Sequence, residues 1–252
     1  MIEDARRGLE AALAAKPEGA GLGAILDALG RAHFRAGRYQ ESARHFERAL
    51  QLWERPPDRV PVLCNAVQAY RELGEYSRAE RYGRQAVEIA PTEPRAWQLL
   101  GSVLIKQRHY REAETAERKA LSLGDSGSAA PAWSDLAVLY EAQGRYEQSA
   151  EALQRSIQAT PARHQRARLL ANLGAVEQKQ RRFEEATLHL GQAVQEMESA
   201  AGPRHPDVAG ILERYSAALR QAGRRSEAKQ VAERAKEIRS FLSATVDWRN
   251  LK

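Results

Sequence analysis

The chain has 252 residues, 43% hydrophobic, 29% charged and only 6% aromatic, with a formal net charge of +6 and a single cysteine, Cys64. One cysteine excludes an internal disulfide and a cysteine zinc site, and no run of 18 apolar residues offers a membrane span. The charged start "MIEDARRGLEAALAAKPEG" lacks the apolar stretch of a secretory signal, so the default location is the cytoplasm, with an exported mature chain left open.

In chain order, residues 3–16 are predicted as an N-terminal helix with a polar outer face, and the leader 1–21 as a cap. "GAGLG" (Gly19 to Gly23) reads as the loop after it, since no strand precedes these glycines and no Lys-Ser/Thr follows. Next comes a pattern that recurs six times. Gly37-Arg38-Tyr39, Gly74-Glu75-Tyr76, Arg108-His109-Tyr110, Gly144-Arg145-Tyr146, Arg181-Arg182-Phe183 and Gly223-Arg224-Arg225 interrupt otherwise helical stretches. Glycine costs about 1 kcal/mol inside a helix, so these triplets read as punctuation between two helices. After each comes a small residue (Ala43, Ala79, Ala113, Ala150, Ala186, Ala228), and a second follows further on (Ala49, Ala86, Ala120, Ser156, Ala193, Ala235). Before the triplets, sets such as Trp97, Leu100, Gly101 and Leu104 step by 3, 4 and 7, the helical period. Each unit is therefore a hairpin of two short amphipathic helices.

The hairpins are bounded at 22–59, 60–93, 94–129, 130–166, 167–204 and 205–240, with a tail over 241–252. The segments "ERPPDRV", "LGDSGSAAPAW", "ATPARHQRAR" and "ESAAGPRHPD" read as loops between units. Arg108 and Arg181 occupy the turn-glycine place, where the turn is expected to adjust slightly. Gly83 and Glu117 stand where a large apolar residue is usual, so loose packing is expected there. The tail "SATVDWRNLK" carries Val246, Trp248 and Leu251. Three readings of it stay open: a cap on the last unit, disorder, or docking into a neighbouring molecule.

The recurring Trp/Leu, Leu-Gly, Tyr, turn Gly, aromatic, Ala and Ala, with Pro91 and Pro161 at unit ends, resembles the tetratricopeptide repeat family over about residues 22 to 240. The lead-in to the sixth unit, with Pro206 in a first helical turn, is similar to the 42-residue variant of kinesin-light-chain-like bacterial repeats. The resemblance implies an all-α fold, a right-handed α-solenoid of about six helix-turn-helix units with capping helices at both ends, forming one domain over 1–252. It also implies a concave groove, lined by the first helix of each hairpin, that takes peptides.

No catalytic, metal or cofactor site emerges, and no enzyme is expected. The six histidines, His33, His45, His109, His164, His189 and His205, are scattered without ligand spacing. His33 takes the place of the repeat Tyr and reads as packing, and Glu184-Glu185 reads as a helix N-terminus.

Groove residues follow as those of the first helices outside the packing pattern. They are Asp27, Arg31, Phe34 and Arg35; Asn65, Gln68 and Arg71; Gln98, Ser102 and Lys106; Ser134, Asp135, Val138 and Glu141; and Asn172, Ala175, Gln178 and Lys179. Asn65 and Asn172 hold equivalent places, and an Asn both donates to and accepts from a peptide backbone. The Lys/Asn/Lys/Arg clamp that some family members use for a chaperone C-terminus fails here. Asp27 stands in place of the first Lys, Arg31 and Gln68 in place of the Asn residues, and Leu99 in place of the clamp Arg. Arg31, Arg35, Arg71 and Lys106 make the first half basic, and Asp135 and Glu141 make the fourth unit acidic. The expected partner is a protein or peptide with its acidic end toward the N-terminal units, with no membrane involvement. The alternative is a nucleic-acid-associated or regulatory helical repeat protein using its basic surface. It is disfavoured because acids interleave the arginines, as in "RELGEYSRAERYGRQ".

Overall fold

The computed structural model describes residues 7, 8, 11, 12, 19–53, 55–125 and 128–245, and these contain twelve long helices and no strand. The helices are α1 (Gly19–Arg35), α2 (Tyr39–Leu52), α3 (Pro56–Glu72), α4 (Tyr76–Ile89), α5 (Pro94–Lys106), α6 (Tyr110–Leu123), α7 (Ala130–Ala142), α8 (Tyr146–Ala159), α9 (Arg163–Lys179), α10 (Phe183–Ala201), α11 (Pro206–Gln221) and α12 (Arg225–Thr245). Odd and even helices pair as six antiparallel hairpins. They fall into two compact units that divide between Asp125 and Ser126.

Every hairpin turns in the same way. The second residue past the first helix is left-handed: Gly37, Gly74, Arg108, Gly144, Arg181 and Gly223 have φ between 63° and 82°. The next amide then reaches back to a carbonyl five residues earlier, from Arg38 to His33, Glu75 to Tyr70, His109 to Leu104, Arg145 to Tyr140, Arg182 to Glu177 and Arg224 to Leu219, all at 2.8–2.9 Å. This double closure satisfies carbonyls that a helix end otherwise leaves orphaned. The expected adjustment at Arg108 and Arg181 does not occur. Both hold the left-handed conformation (φ 64° and 63°), because the closing hydrogen bonds require it whatever the side chain.

Within a hairpin, positions sixteen residues apart fit small against large. A Cβ on Gly30 would lie 2.4 Å from the Phe46 ring, one on Gly101 would lie 2.3 Å from the Glu117 carboxylate, and one on Gly174 would lie 2.7 Å from Leu190. In the second hairpin the sizes are exchanged, with Val67 and Gly83 at those places. The predicted loose packing is therefore not found: Glu117 is fully buried, and a Cβ on Gly83 would already crowd Leu100 at 3.2 Å.

In the first unit the core gathers Leu26, Phe46, Leu63, Val67, Tyr70, Leu99 and Val103. In the second it gathers Leu170, Leu190, Met197, Leu212 and Ile238. Besides its hairpin partner, α3 packs on both α1 and α5, and α9 packs on α11, so these first helices lie side by side.

The loops are shorter than the composition suggests. "GAGLG" is helical, with Gly23 buried because the Trp53 indole lies against it. Pro56-Pro57 opens α3, Ala130-Pro131 opens α7, and His164 to Arg168 lie inside α9. Proline at the first helical positions loses no hydrogen bond, so these prolines start helices instead of holding loops open. Helix α12 continues to Thr245, into the predicted tail. The remaining tail, with Val246, Trp248 and Leu251, and most of the predicted N-terminal helix lie outside the described residues. His33 is buried and its ring stacks on His45 at 5.1 Å.

Two outcomes follow. Arg181→Gly should raise stability by about 0.5–1 kcal/mol in urea unfolding, the relief of left-handed strain less the greater freedom of glycine in the unfolded chain, and Gly144→Arg should lower it comparably. His189 Nδ1 lies 2.9 Å from the buried Glu177 carboxylate, a hydrogen bond that holds the imidazolium above its usual pKa. A raised folded pKa stabilises fully below the unfolded value of about 6.5 and is lost as pH climbs through the folded one. The stability gap between wild type and His189→Gln should be larger at pH 6 than at pH 9.

Candidate functional site: the first-helix faces

In the first unit the side chains predicted to face outward are largely tied to one another. Asp27 on α1 pairs with Arg31 one turn on, Nε to Oδ2 at 3.1 Å. Asn65 Nδ2 on α3 donates to the other oxygen of Asp27 at 2.9 Å, and the Arg95 guanidinium on α5 donates to Asn65 Oδ1 at 3.3 Å. One chain of polar groups thus crosses three first helices. Arg71 donates to Ser102 Oγ at 3.2 Å and pairs with Glu72 at 3.1 Å, while Ser102, nearly buried, donates to the Leu99 carbonyl. Phe34 packs on the core with its ring edge to Tyr39, and Gln68 and Gln98 are half-buried. Arg35 and Lys106 are exposed, with no ion pair among the described residues.

The second unit is organised differently. Lys179 on α9 donates to Glu141 on α7 at 2.7 Å, which raises the lysine's pKa, and Gln178 Nε2 donates to Gln221 on α11 at 2.7 Å. Val138 is exposed (45%), Asp135 and Ala175 are half-buried, and Asn172 is exposed. Asn172 has no hydrogen bond among the described residues. The reason lies in its neighbours: Ser134 stands where the first unit has Asp27, and Gly210 where it has Arg95.

Ser134 and Asn172 instead line an open pocket of about 460 Å³, together with Ala130, Pro131, Ala159, Pro161, Gln165, Arg168 and Leu169. Its buried hydroxyls are internally satisfied, Ser156 by the Ala130 carbonyl and Thr160 by that of Ser156. Arg168, Gln165, Asn172 and Ser134 carry no hydrogen bond or ion pair among the described residues, so the polar rim is open to a ligand.

Arg95, Arg168 and Arg214 are absent from the sequence-derived set. A register signal was available for each. Arg95 and Arg168 both stand six residues before a packing glycine, Gly101 and Gly174, and Arg214 lies 42 residues after Asn172 at the same place in its hairpin. Arg214 is half-buried on α11, and burial pulls its pKa below the usual guanidinium value against the favourable field of Glu141.

Among the described residues no group of three metal-type ligands converges, and no helix is long and apolar enough to cross a membrane. Burial pushes the Cys64 thiol up to about 11, which makes it a packing group instead of a nucleophile.

Tetratricopeptide repeat family models match residues 21–92, 99–164 and 165–240. The chain belongs to the tetratricopeptide repeat family. Solved structures repeat the fold. PilW, described as a widely conserved type IV pilus biogenesis factor, superposes with TM-score 0.68 at 18% identity, over 90% of this chain and 94% of that one. MamA residues 41 to the end from Desulfovibrio magneticus RS-1 gives 0.56 at 19%, over 71% and 96%. The APC/C Cut9–Hcn1 hetero-tetramer gives 0.68 at 16%, over 85% and 39%. At such identities these likenesses bear on the fold alone. No curated protein sequence is significantly similar to the chain. In tetratricopeptide terms, Asn65, Asn172 and Arg214 are the same repeat position in three settings.

Asn65→Ala should cost about 1–2 kcal/mol in chemical unfolding, because it removes a donor and an acceptor from a part-buried network. Asn172→Ala should stay within about 0.5 kcal/mol of wild type.

Proposed function

We propose that this tetratricopeptide chain is a non-catalytic protein-interaction scaffold, and that it grips a peptide segment of its partner in the first-helix groove. The single observation that carries the reading is the contrast between the two asparagines. Asn65 is held by Asp27 and Arg95, whereas Asn172 sits unengaged on the rim of an open pocket beside Arg168. An amide that both donates and accepts, with an unpaired guanidinium one turn away, suits a peptide backbone carrying an acidic group.

Acid preference fits the net charge of +6. The first-unit cations left to serve it are Arg35 and Lys106, since Arg31 and Arg71 already face carboxylates. In the second unit Arg168 serves it from the pocket and Arg214 from α11. The apolar lining, Pro131, Ala159, Pro161 and Leu169, supplies the area that anchors one side chain.

The test is selection of a random dodecapeptide display library on the full chain. Wild type should enrich peptides containing Asp or Glu, and the enriched peptides should bind Arg168→Ala and Asn172→Ala at least about tenfold more weakly. The fold-neutral Asn172→Ala separates lost contact from lost structure. Equal binding by both variants would remove the pocket from the function, and no enrichment at all would remove the peptide reading.

A further inference from the structure

The sixth hairpin breaks the small-against-large rule. Sixteen residues apart, the other hairpins pair Gly30 with Phe46, Val67 with Gly83, Gly101 with Glu117, Ala137 with Leu153 and Gly174 with Leu190. In the sixth, both places are small: Ser216 and Ala232. Both residues line an open pocket of about 510 Å³ between α11 and α12, with Ala228 beside them and Arg220, Arg225 and Lys229 around it. The Ser216 hydroxyl donates to the Ala228 carbonyl at 2.8 Å, so the floor is polar in name only. Arg220, Arg225 and Lys229 are exposed, and none makes a side-chain hydrogen bond or ion pair among the described residues. Glu233 feels the charge of Lys229 only at longer range. The pocket is thus a hole for one large apolar side chain, rimmed by three cations that favour a carboxylate next to it.

The chain carries that pair of groups in Asp247-Trp248, just past the end of α12 at Thr245 and outside the described residues. We propose that the pocket receives Trp248 from a second copy of this chain, with Asp247 against the rim cations. Length excludes the chain's own Trp248. From Thr245 back to Lys229, α12 measures about 24 Å at 1.5 Å per residue, whereas three extended residues reach about 11 Å and the indole extends that to about 18 Å. A second copy removes the difficulty. Two α12 helices set antiparallel about a twofold axis near residue 237 place Thr245 of each opposite Lys229 of the other. Both pockets then fill at once, as a closed isologous dimer requires. Tryptophan gives a large buried area for little lost side-chain freedom, which is why one such knob dominates an interface.

The inference does not rest on the peptide groove, and the experiment keeps the two apart. Size-exclusion chromatography with light scattering on the full chain at high micromolar concentration should give twice the 28.1 kDa chain mass. Trp248→Ala and Ala232→Leu should each raise the dimer dissociation constant at least about tenfold. The second variant fills the pocket with the residue type found at Leu153 and Leu190, and a melting temperature at or above wild type shows that it folds. Asn172→Ala should dimerise as wild type does. A monomeric wild type overturns the proposal. So does an unweakened dimer in either pocket variant, including the case where Trp248→Ala weakens the dimer and Ala232→Leu does not, since the tail then docks elsewhere.

Discussion

Six left-handed turns hold this molecule together. Each ends a first helix, reverses the chain within three residues and closes with an amide reaching back five residues. Because the closure is made by backbone alone, it is indifferent to side chain up to the strain of a Cβ, and Arg108 and Arg181 show that limit being met. Once the turn is set, the two helices must meet at a fixed offset of sixteen residues. That offset is why small and large residues alternate across the hairpin, and why a glycine against Phe46 or Leu190 is a packing requirement. A hairpin so built still has apolar surface on its flanks, which only a neighbouring hairpin can cover.

The same geometry sorts polar residues by what their neighbours allow. Repeats place Asn65, Asn172 and Arg214 at one register position, but each meets different side chains from other first helices. Asp27 and Arg95 convert Asn65 into part of a strut across α1, α3 and α5. Ser134 and Gly210 leave Asn172 exposed, and Glu141 leaves Arg214 half-buried in a favourable field. Burial and charge pairing, more than residue type, separate scaffold from candidate contact. The net charge of the chain therefore overstates the cation available to a ligand on the first unit, where Arg31 and Arg71 are paired.

Size matching also explains where the molecule has space. The second hairpin keeps its fit by exchanging Val67 and Gly83, and the third buries a carboxylate, Glu117, against the backbone of Gly101. The sixth has no large partner at either place and is open there. An omission at a position the other hairpins fill is more informative than an equal cavity elsewhere, because the repeat itself states what should have been present.

Read alone, the sequence carried the all-α hairpin repeat, its six turns and the packing role of His33. These follow from local periodicity and turn chemistry, which act over a few residues. It misread "GAGLG" as a loop and drew the proline-rich loops too long, since glycine and proline are compatible with helix when a neighbour packs closely or the residue opens the helix. Trp53 against Gly23, and Pro56 at the head of α3, are decided by contacts and end effects that composition does not encode. It could name Asn65 and Asn172 as equals; only the tertiary structure made one a strut and left the other open. That difference depends on which side chains three separate helices bring within hydrogen-bonding distance, across 30 to 38 residues of chain.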